Sequence, residues 1–207
     1  MRKLIVAVVV VGCMGTEAWA QVPGAVRQTA MARIGLAQTV AADPQVLKAV
    51  VAKNSTHETM EEILHIDKEW TDNLQYPLRK TLSMNACAQH LRELTKDDPL
   101  IVEVILMDAQ GANVCVSKET SDYWQGDEAK WQKTFGASKE VFIDEPAFDA
   151  STGVYAIQLS AIVADGKTKV GALTFTLRLH REDVGKPGSP SAGGPPGAPS
   201  AGAKPHP

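Results

Sequence analysis

The polarity pattern divides the chain into a helical half and a strand half. Ala25 to Ala42 is rich in Ala, Gln, Arg and Leu with few breakers, which predicts a long N-terminal helix. Asp43-Pro44 supplies an N-cap and a first-turn proline for the next helix, which runs to about Lys53. Ser55-x-x-Glu58 has the form of a capping box and predicts a third helix, with Ile63, Leu64, Trp70 and Leu74 on its buried face. Pro77 breaks the pattern, Leu78 to Lys96 resumes it, and Asp97-Asp98-Pro99 ends it.

Beyond Pro99 the period changes. Leu100 to Met107 is apolar and β-branched, as in a strand buried on both faces. Asp108-Ala109-Gln110-Gly111 is turn chemistry, and Ala112 to Ser117 returns as a second strand. Asp127 to Phe135 predicts a short helix, and Glu140 to Asp144 a third strand. Val154 to Ala164 alternates, with Tyr155, Ile157, Leu159 and Val163 on one face. Asp165-Gly166 is a hairpin signal, answered by Lys169 to Leu179 with Leu173, Phe175, Leu177 and Leu179 on one face. Helices first and grouped strands after them predict an antiparallel α+β domain. No internal repeat is present.

The two ends alter this picture. Arg2 and Lys3, the apolar run Leu4 to Gly12, and Ala18-Trp19-Ala20 form a secretory signal over residues 1–20, with cleavage expected after Ala20. The apolar run is shorter than the roughly 20 residues that span a bilayer. Val10-Val11-Gly12-Cys13 loosely resembles a lipoprotein box, which leaves lipidation of Cys13 as a minor alternative. Residues 185–207 are almost wholly Gly, Pro, Ala and Ser, a composition that does not repay its ordering entropy and predicts a disordered tail. One periplasmic domain over residues 21–184 is expected between them. A net charge of −3 with mixed signs argues against nucleic-acid binding and against a polybasic membrane surface.

Cys13 would leave with the signal, so Cys87 and Cys115 form an even pair in an oxidising compartment and are expected to be bridged. The alternative is two buried thiols that never meet. Neither a Cys-x-x-Cys nor a Cys-x-x-Cys-His pattern occurs, which argues against redox and haem sites. His57, Glu61 and His65 share a face if that stretch is helical, yet H-E-x-x-H spacing is lacking and no further ligand presents itself. No Gly-x-Ser-x-Gly elbow, Walker loop or dinucleotide fingerprint is present. No cofactor, no metal and no catalytic residue are expected.

The segment Thr120 to Gln132 concentrates three aromatics, several acidic and amide side chains and Lys130. It is too polar for a core strand, and aromatic faces with a few polar groups suit small polar ligands. Together with Asp67-Lys68-Glu69-Trp70, Met107 to Val114 and Phe148-Asp149-Ala150-Ser151, this block resembles the single-Cache, PDC sensor-like periplasmic proteins from about Leu36 to Leu177. The resemblance implies a PAS-like fold, with a long N-terminal helix packed beside a five-stranded antiparallel sheet. It also implies a pocket for amino acids, amines, small carboxylates or similar metabolites. Membrane-bound relatives couple that pocket to kinase or chemotaxis domains, whereas this chain reads without a transmembrane helix or output domain. A membrane-bound signalling protein is therefore the expected partner, and the N-terminal helix the expected route to a homodimer.

Carried onto this chain, the resemblance makes Tyr123, Trp124 and Trp131 pocket walls and Lys130 a partner for a carboxylate. Asp122 and Asp149 become partners for an ammonium group, and Gln158 adds a hydrogen bond. Core packing for the aromatics, a solvated face for Lys130 and turn chemistry for Asp149 are the plainer readings of the same residues. Two other functions stand beside the sensor. An interaction protein would show an exposed apolar stripe on Ala25 to Leu47. A hydrolase would need carboxylates near Glu128 and Asp149 to share a cleft.

Overall fold

A computed structural model describes residues 24–149 and 152–180. The expected signal peptide, the tail and Cys13 lie outside these residues. The N-terminal stretch forms α1 (Gly24–Met31) and α2 (Ile34–Ala41), so the single long helix expected there is two short ones joined at Ala32 and Arg33. Arg33 is held at this junction by Asp98, whose Oδ2 lies 2.6 Å from its Nε. Their apolar residues Val26, Ala30, Ala37, Val40 and Ala41 are all buried in the main core. Met31 is the exposed large hydrophobic residue of α1 and α2.

Helix α3 (Pro44–Asn54) begins as expected, with Asp43 accepting from the backbone N–H groups of Gln45 and Val46. Helix α4 (Met60–Asp72) begins later than expected. Its capping box is Thr59 with Glu62, and Ser55 instead closes α3 by donating to the Val51 carbonyl. His57 consequently lies outside the helix, at φ +52, and does not share a face with Glu61 and His65. Among the described residues no three metal-binding side chains are gathered. The next helical stretch is also divided, into α5 (Pro77–Met84) and α6 (Ala86–Thr95), because Asn85 is extended and caps α6 through Ala88 N–H.

The sheet is antiparallel, with strands β1 (Ile101–Met107), β2 (Asn113–Val116), β3 (Val141–Ile143), β4 (Ala147–Asp149), β5 (Val154–Asp165) and β6 (Thr168–Arg178). Its order is β2-β1-β6-β5-β3, and β4 also pairs with β5. β3 opposes Leu159 to Ala161 and β4 opposes Val154 to Ala156, so the two short strands share one edge of the twelve-residue β5. The sheet is thus five positions wide, with six strands. The β5–β6 hairpin turns at Gly166, where φ is +59 and glycine is favoured.

The two faces of the sheet differ in chemistry. Val104, Leu106, Ile157, Leu159, Val163, Leu173, Phe175 and Leu177 pack against α1, α2, α3 and α6 in the main core. Cys87 of α6 and Cys115 of β2 form a disulfide across this layer, with Cα atoms 6.0 Å apart. On the other face a smaller cluster of Ile105, Met107, Val116 and Ala172 is covered by Trp131 and Phe135. These two aromatics come from a short helix, α7 (Ala129–Trp131), and the π-helical turn Gln132–Gly136 that continues it. The rest of that face is polar. Among the described residues no helix is long and apolar enough to cross a membrane.

Candidate ligand-binding cleft

The polar part of the second face is a row of paired side chains. Glu103 of β1 lies opposite Thr176 of β6, and Thr176 lies opposite Gln158 of β5. Beside them Ser160 and Thr174 share a hydrogen bond of 2.9 Å. Strand alternation alone would send these residues to water. Instead Thr174, Thr176, Ser160 and Glu103 are buried, because residues 117–136 fold back over them as a roof.

The roof is fastened to the helices by polar contacts. Asp67 Oδ1 of α4 accepts from the N–H groups of both Tyr123 and Trp124, each at 2.9 Å. Trp70 Nε1 and Arg79 Nη2 donate to the Thr120 carbonyl at 3.0 and 3.1 Å. Asp108 accepts from Gln110 and Ala112 in the β1–β2 turn, and Gly111 of that turn, at φ +85, touches the roof. A Cβ at Gly111 would stand 2.5 Å from Gly126 Cα, so only glycine permits this approach.

Between roof and sheet lies a cavity of about 150 Å³, lined by Glu103, Ile105, Thr120, Ser121, Gln125, Glu128, Lys130, Asp149 and Gln158. A neighbouring cavity of about 240 Å³ shares Glu128, Asp149 and Gln158 with it and adds Asp144, Glu145, Ala147, Phe148 and Ala156. The two adjoin at Glu128, Asp149 and Gln158 and are together called the cleft. Glu103 is only 2% exposed at its floor and Lys130 5% exposed in its roof, where Lys130 Nζ pairs with Glu128 Oε2 at 3.0 Å. Glu103 Oε2 accepts from the Thr176 hydroxyl at 3.0 Å, and its Oε1 has no hydrogen-bond partner among the described residues. Burial pushes the Glu103 carboxyl up to about 7. The Asp149 carboxylate adds to the rise, while the Thr176 bond and the Lys130 and Lys118 charges oppose it.

This shift makes a stability prediction. The carboxyl moves from its ordinary 4.5 to about 7 on folding, so the native state holds its proton longer than the unfolded chain. Its cost is therefore nil below pH 4.5, grows as pH rises through that window and levels off above pH 7. Glu103→Gln removes the charge and keeps the shape. It is expected to gain up to about 3 kcal/mol over the parent at pH 8 and nothing at pH 4. Urea unfolding at the two pH values checks this, and equal effects at both would contradict it.

Of the residues singled out in the sequence, Lys130, Asp149 and Gln158 come together in the cleft. The aromatics do not line it. The Tyr123 ring packs on Trp70 with centroids 5.8 Å apart, and its hydroxyl accepts from Lys53 Nζ and donates to Glu58 Oε2. Burial, then the charge of Glu58, holds that phenol far above its ordinary pKa. Trp124 joins the same cluster and donates to the Gln110 carbonyl at 2.8 Å. Trp131 stacks on Phe135, with centroids 5.2 Å apart, and donates to the Asp108 carbonyl. The Asp122 carboxylate accepts from Ser121 Oγ outside the cavity lining, while its backbone carbonyl accepts from Asn113, Thr120 and Gln125. Glu103 and Gln125 are the cleft residues that the sequence reading missed. A lone acid within the apolar run Ile101 to Met107 was the available signal.

No known family profile matches the chain, and no curated protein matches it. Solved structures do. One is the ligand-binding domain of the Pseudomonas fluorescens chemoreceptor CtaA in complex with L-serine, with 18% identity and a TM-score of 0.35. That match covers 57% of this chain and 58% of the CtaA domain. Another is the E. coli DcuS sensor domain, with 12% identity and a TM-score of 0.42, over 73% of this chain and 90% of that one. A third is the ligand-binding domain of the Pseudomonas aeruginosa amino acid chemoreceptor PctC in complex with GABA. It has 14% identity and a TM-score of 0.37, over 73% of this chain and 64% of that one. The chain is thus similar to ligand-binding domains of chemoreceptors and to a sensor domain, at levels that leave its ligand to be read from its own cleft.

Proposed function

We propose that this chain is a periplasmic ligand-binding sensor module that takes a small polar metabolite, an amino acid, amine or carboxylate, into the cleft beneath residues 117–136. The observation that carries this reading is the placement of Glu103 and Lys130. Both are almost fully buried, and both line the same small cavity. Buried charges cost stability unless paired, and a packed apolar floor would be cheaper for a purely structural layer. Polar groups converging in a concave site are what small-ligand recognition requires. Glu128 and Asp149 share the cleft, which meets the minimum for paired-carboxylate chemistry, but Glu128 is tied to Lys130. Binding is the function proposed, and catalysis is not.

Thermal unfolding against a library of amino acids, amines, carboxylates, nucleobases and sugars tests this reading. A ligand at a hundred times its Kd adds about 2.7 kcal/mol to the folded state, which a shifted midpoint reports. At least one compound is expected to shift the parent and to leave Glu103→Ala and Gln158→Ala, both altered in the cavity lining, unshifted. Silence across the library would overturn the reading.

One observation favours a second reading, that of a docking protein. Leu74 is 73% exposed and Met84 56% exposed beside an open groove of about 710 Å³ formed by residues of α5 and the loop before it. The stretch Ala25 to Leu47 offers no comparable apolar stripe, since Ile34, Leu36 and Leu47 pack against the core. A membrane-bound partner would on this reading sit at the α5 groove.

A further inference from the structure

The cleft has a surplus of hydrogen-bond acceptors. Gln125 is 1% exposed, and its Nε2 donates to the Asp122 carbonyl at 2.8 Å, which fixes which end of the amide is oxygen. Among the described residues its Oε1 has no hydrogen-bond partner, and neither has Oε1 of Glu103. Both residues line the same cavity. A buried acceptor left without a donor is costly, so two in one cavity define what is wanted there. The charges agree. Among the described residues, Glu103, Glu128, Asp144, Glu145 and Asp149 line the two cavities and Lys130 supplies the one ammonium, which already pairs with Glu128. Lys118 lies close enough to act on Glu103, and the Thr176 hydroxyl donates to it. In the cavity that holds Glu103 and Gln125, an anionic ligand would meet the carboxylates of Glu103, Glu128 and Asp149 and the already engaged ammonium of Lys130.

We propose that the occupant of this cleft is a small organic cation rich in N–H donors, a primary amine or a guanidinium compound, which donates to Glu103 Oε1 and Gln125 Oε1 and displaces a proton from Glu103 as it binds. This deepens the sensor reading and rests on it. The exchange balances in charge, because one cation enters as one proton leaves. The raised pKa of Glu103 places that exchange near neutral pH, where about half of the carboxyls carry the proton before binding. Affinity then rises about tenfold between pH 6 and pH 8 as the proton ceases to compete. Asp149, which faces Glu103 from β4, and Lys130 and Lys118, which oppose it, set where that rise is centred.

The test is calorimetric titration of the full chain with ethanolamine, n-butylamine, putrescine and guanidinium, and with acetate and malonate as anions. Each is measured at pH 6 and pH 8, in two buffers of different ionisation enthalpy. At least one amine or guanidinium probe is expected to bind, about tenfold more tightly at pH 8, with proton release that depends on the buffer near pH 7. Glu103→Gln, checked for its fold by circular dichroism, is expected to abolish the pH dependence and the proton release. Asp149→Asn is expected to shift the pH profile and keep binding. Binding of acetate or malonate with the cations silent would overturn this inference while leaving the sensor reading intact. Cation binding that Glu103→Gln leaves unchanged would also overturn it, and so would silence from every cationic probe.

Discussion

Trp70→Ala is expected to lower stability by about 3–5 kcal/mol and to free the roof of the cleft. Trp70 is fully buried in α4, and its loss would leave a large cavity between α4 and the roof. Its ring carries the Arg79 guanidinium 4.9 Å from its centroid and packs on Tyr123. Arg79 in turn donates to the Trp70 carbonyl at 2.7 Å and pairs with Glu119 at 3.2 Å. Removing the ring therefore exposes a buried guanidinium as well as deleting apolar contact. Trp70→Phe keeps most of the packing and loses the bond to Thr120, so about 1 kcal/mol is expected. Urea midpoints of the two variants check this order. A Trp70→Ala cost no larger than that of Trp70→Phe would contradict it.

The second large effect concerns the disulfide. Cys87 and Cys115 are separated by 28 residues. A loop of that length is worth about 3–4 kcal/mol in the chain-entropy model. The bridge joins α6 to the edge strand β2, only four residues long, and so ties the helical layer to the margin of the sheet that leads into the roof. Cys87→Ala/Cys115→Ala is expected to fall in thermal midpoint by an amount matching that loss, and reduction by dithiothreitol to do the same to the parent. A parent indifferent to reductant would contradict the assignment.

How far the sequence discloses these features depends on the range of the interaction. The β5–β6 hairpin was legible because Asp165-Gly166 and strict alternation are local signals. The start of α3 was legible for the same reason. The start of α4 was misplaced because two capping-box patterns, Ser55 to Glu58 and Thr59 to Glu62, follow one another, and Ser55 bonds back to α3. β4 went unseen because Ala147-Phe148-Asp149 is short and gains its identity from pairing with the far end of β5.

The cleft was only half legible. Lys130, Asp149 and Gln158 stood out by type and position. Tyr123 and Trp124 misled, because Asp67, more than fifty residues away in sequence, binds their backbone while their side chains join the α4 cluster. The Asp67 to Trp70 patch therefore marks the roof anchor. Glu103 was hidden by its apolar neighbours, and the burial of Thr174 and Thr176 shows only once residues 117–136 cover the sheet. The aromatic side chains of Thr120 to Gln132 thus form scaffold, while Gln125 and Lys130 of the same stretch line the cavity together with Glu103 and Gln158 of the strands.

The most direct test of the cleft as the ligand site is an amide chemical-shift map of the chain, with and without the compound that most raises its thermal midpoint. The expected result is movement at Glu103, Thr120 to Lys130, Asp149 and Gln158, with Leu74 to Asn85 unmoved. Movement confined to Leu74 to Asn85, with Glu103 and Gln158 silent, would contradict the account and make the α5 groove the working surface.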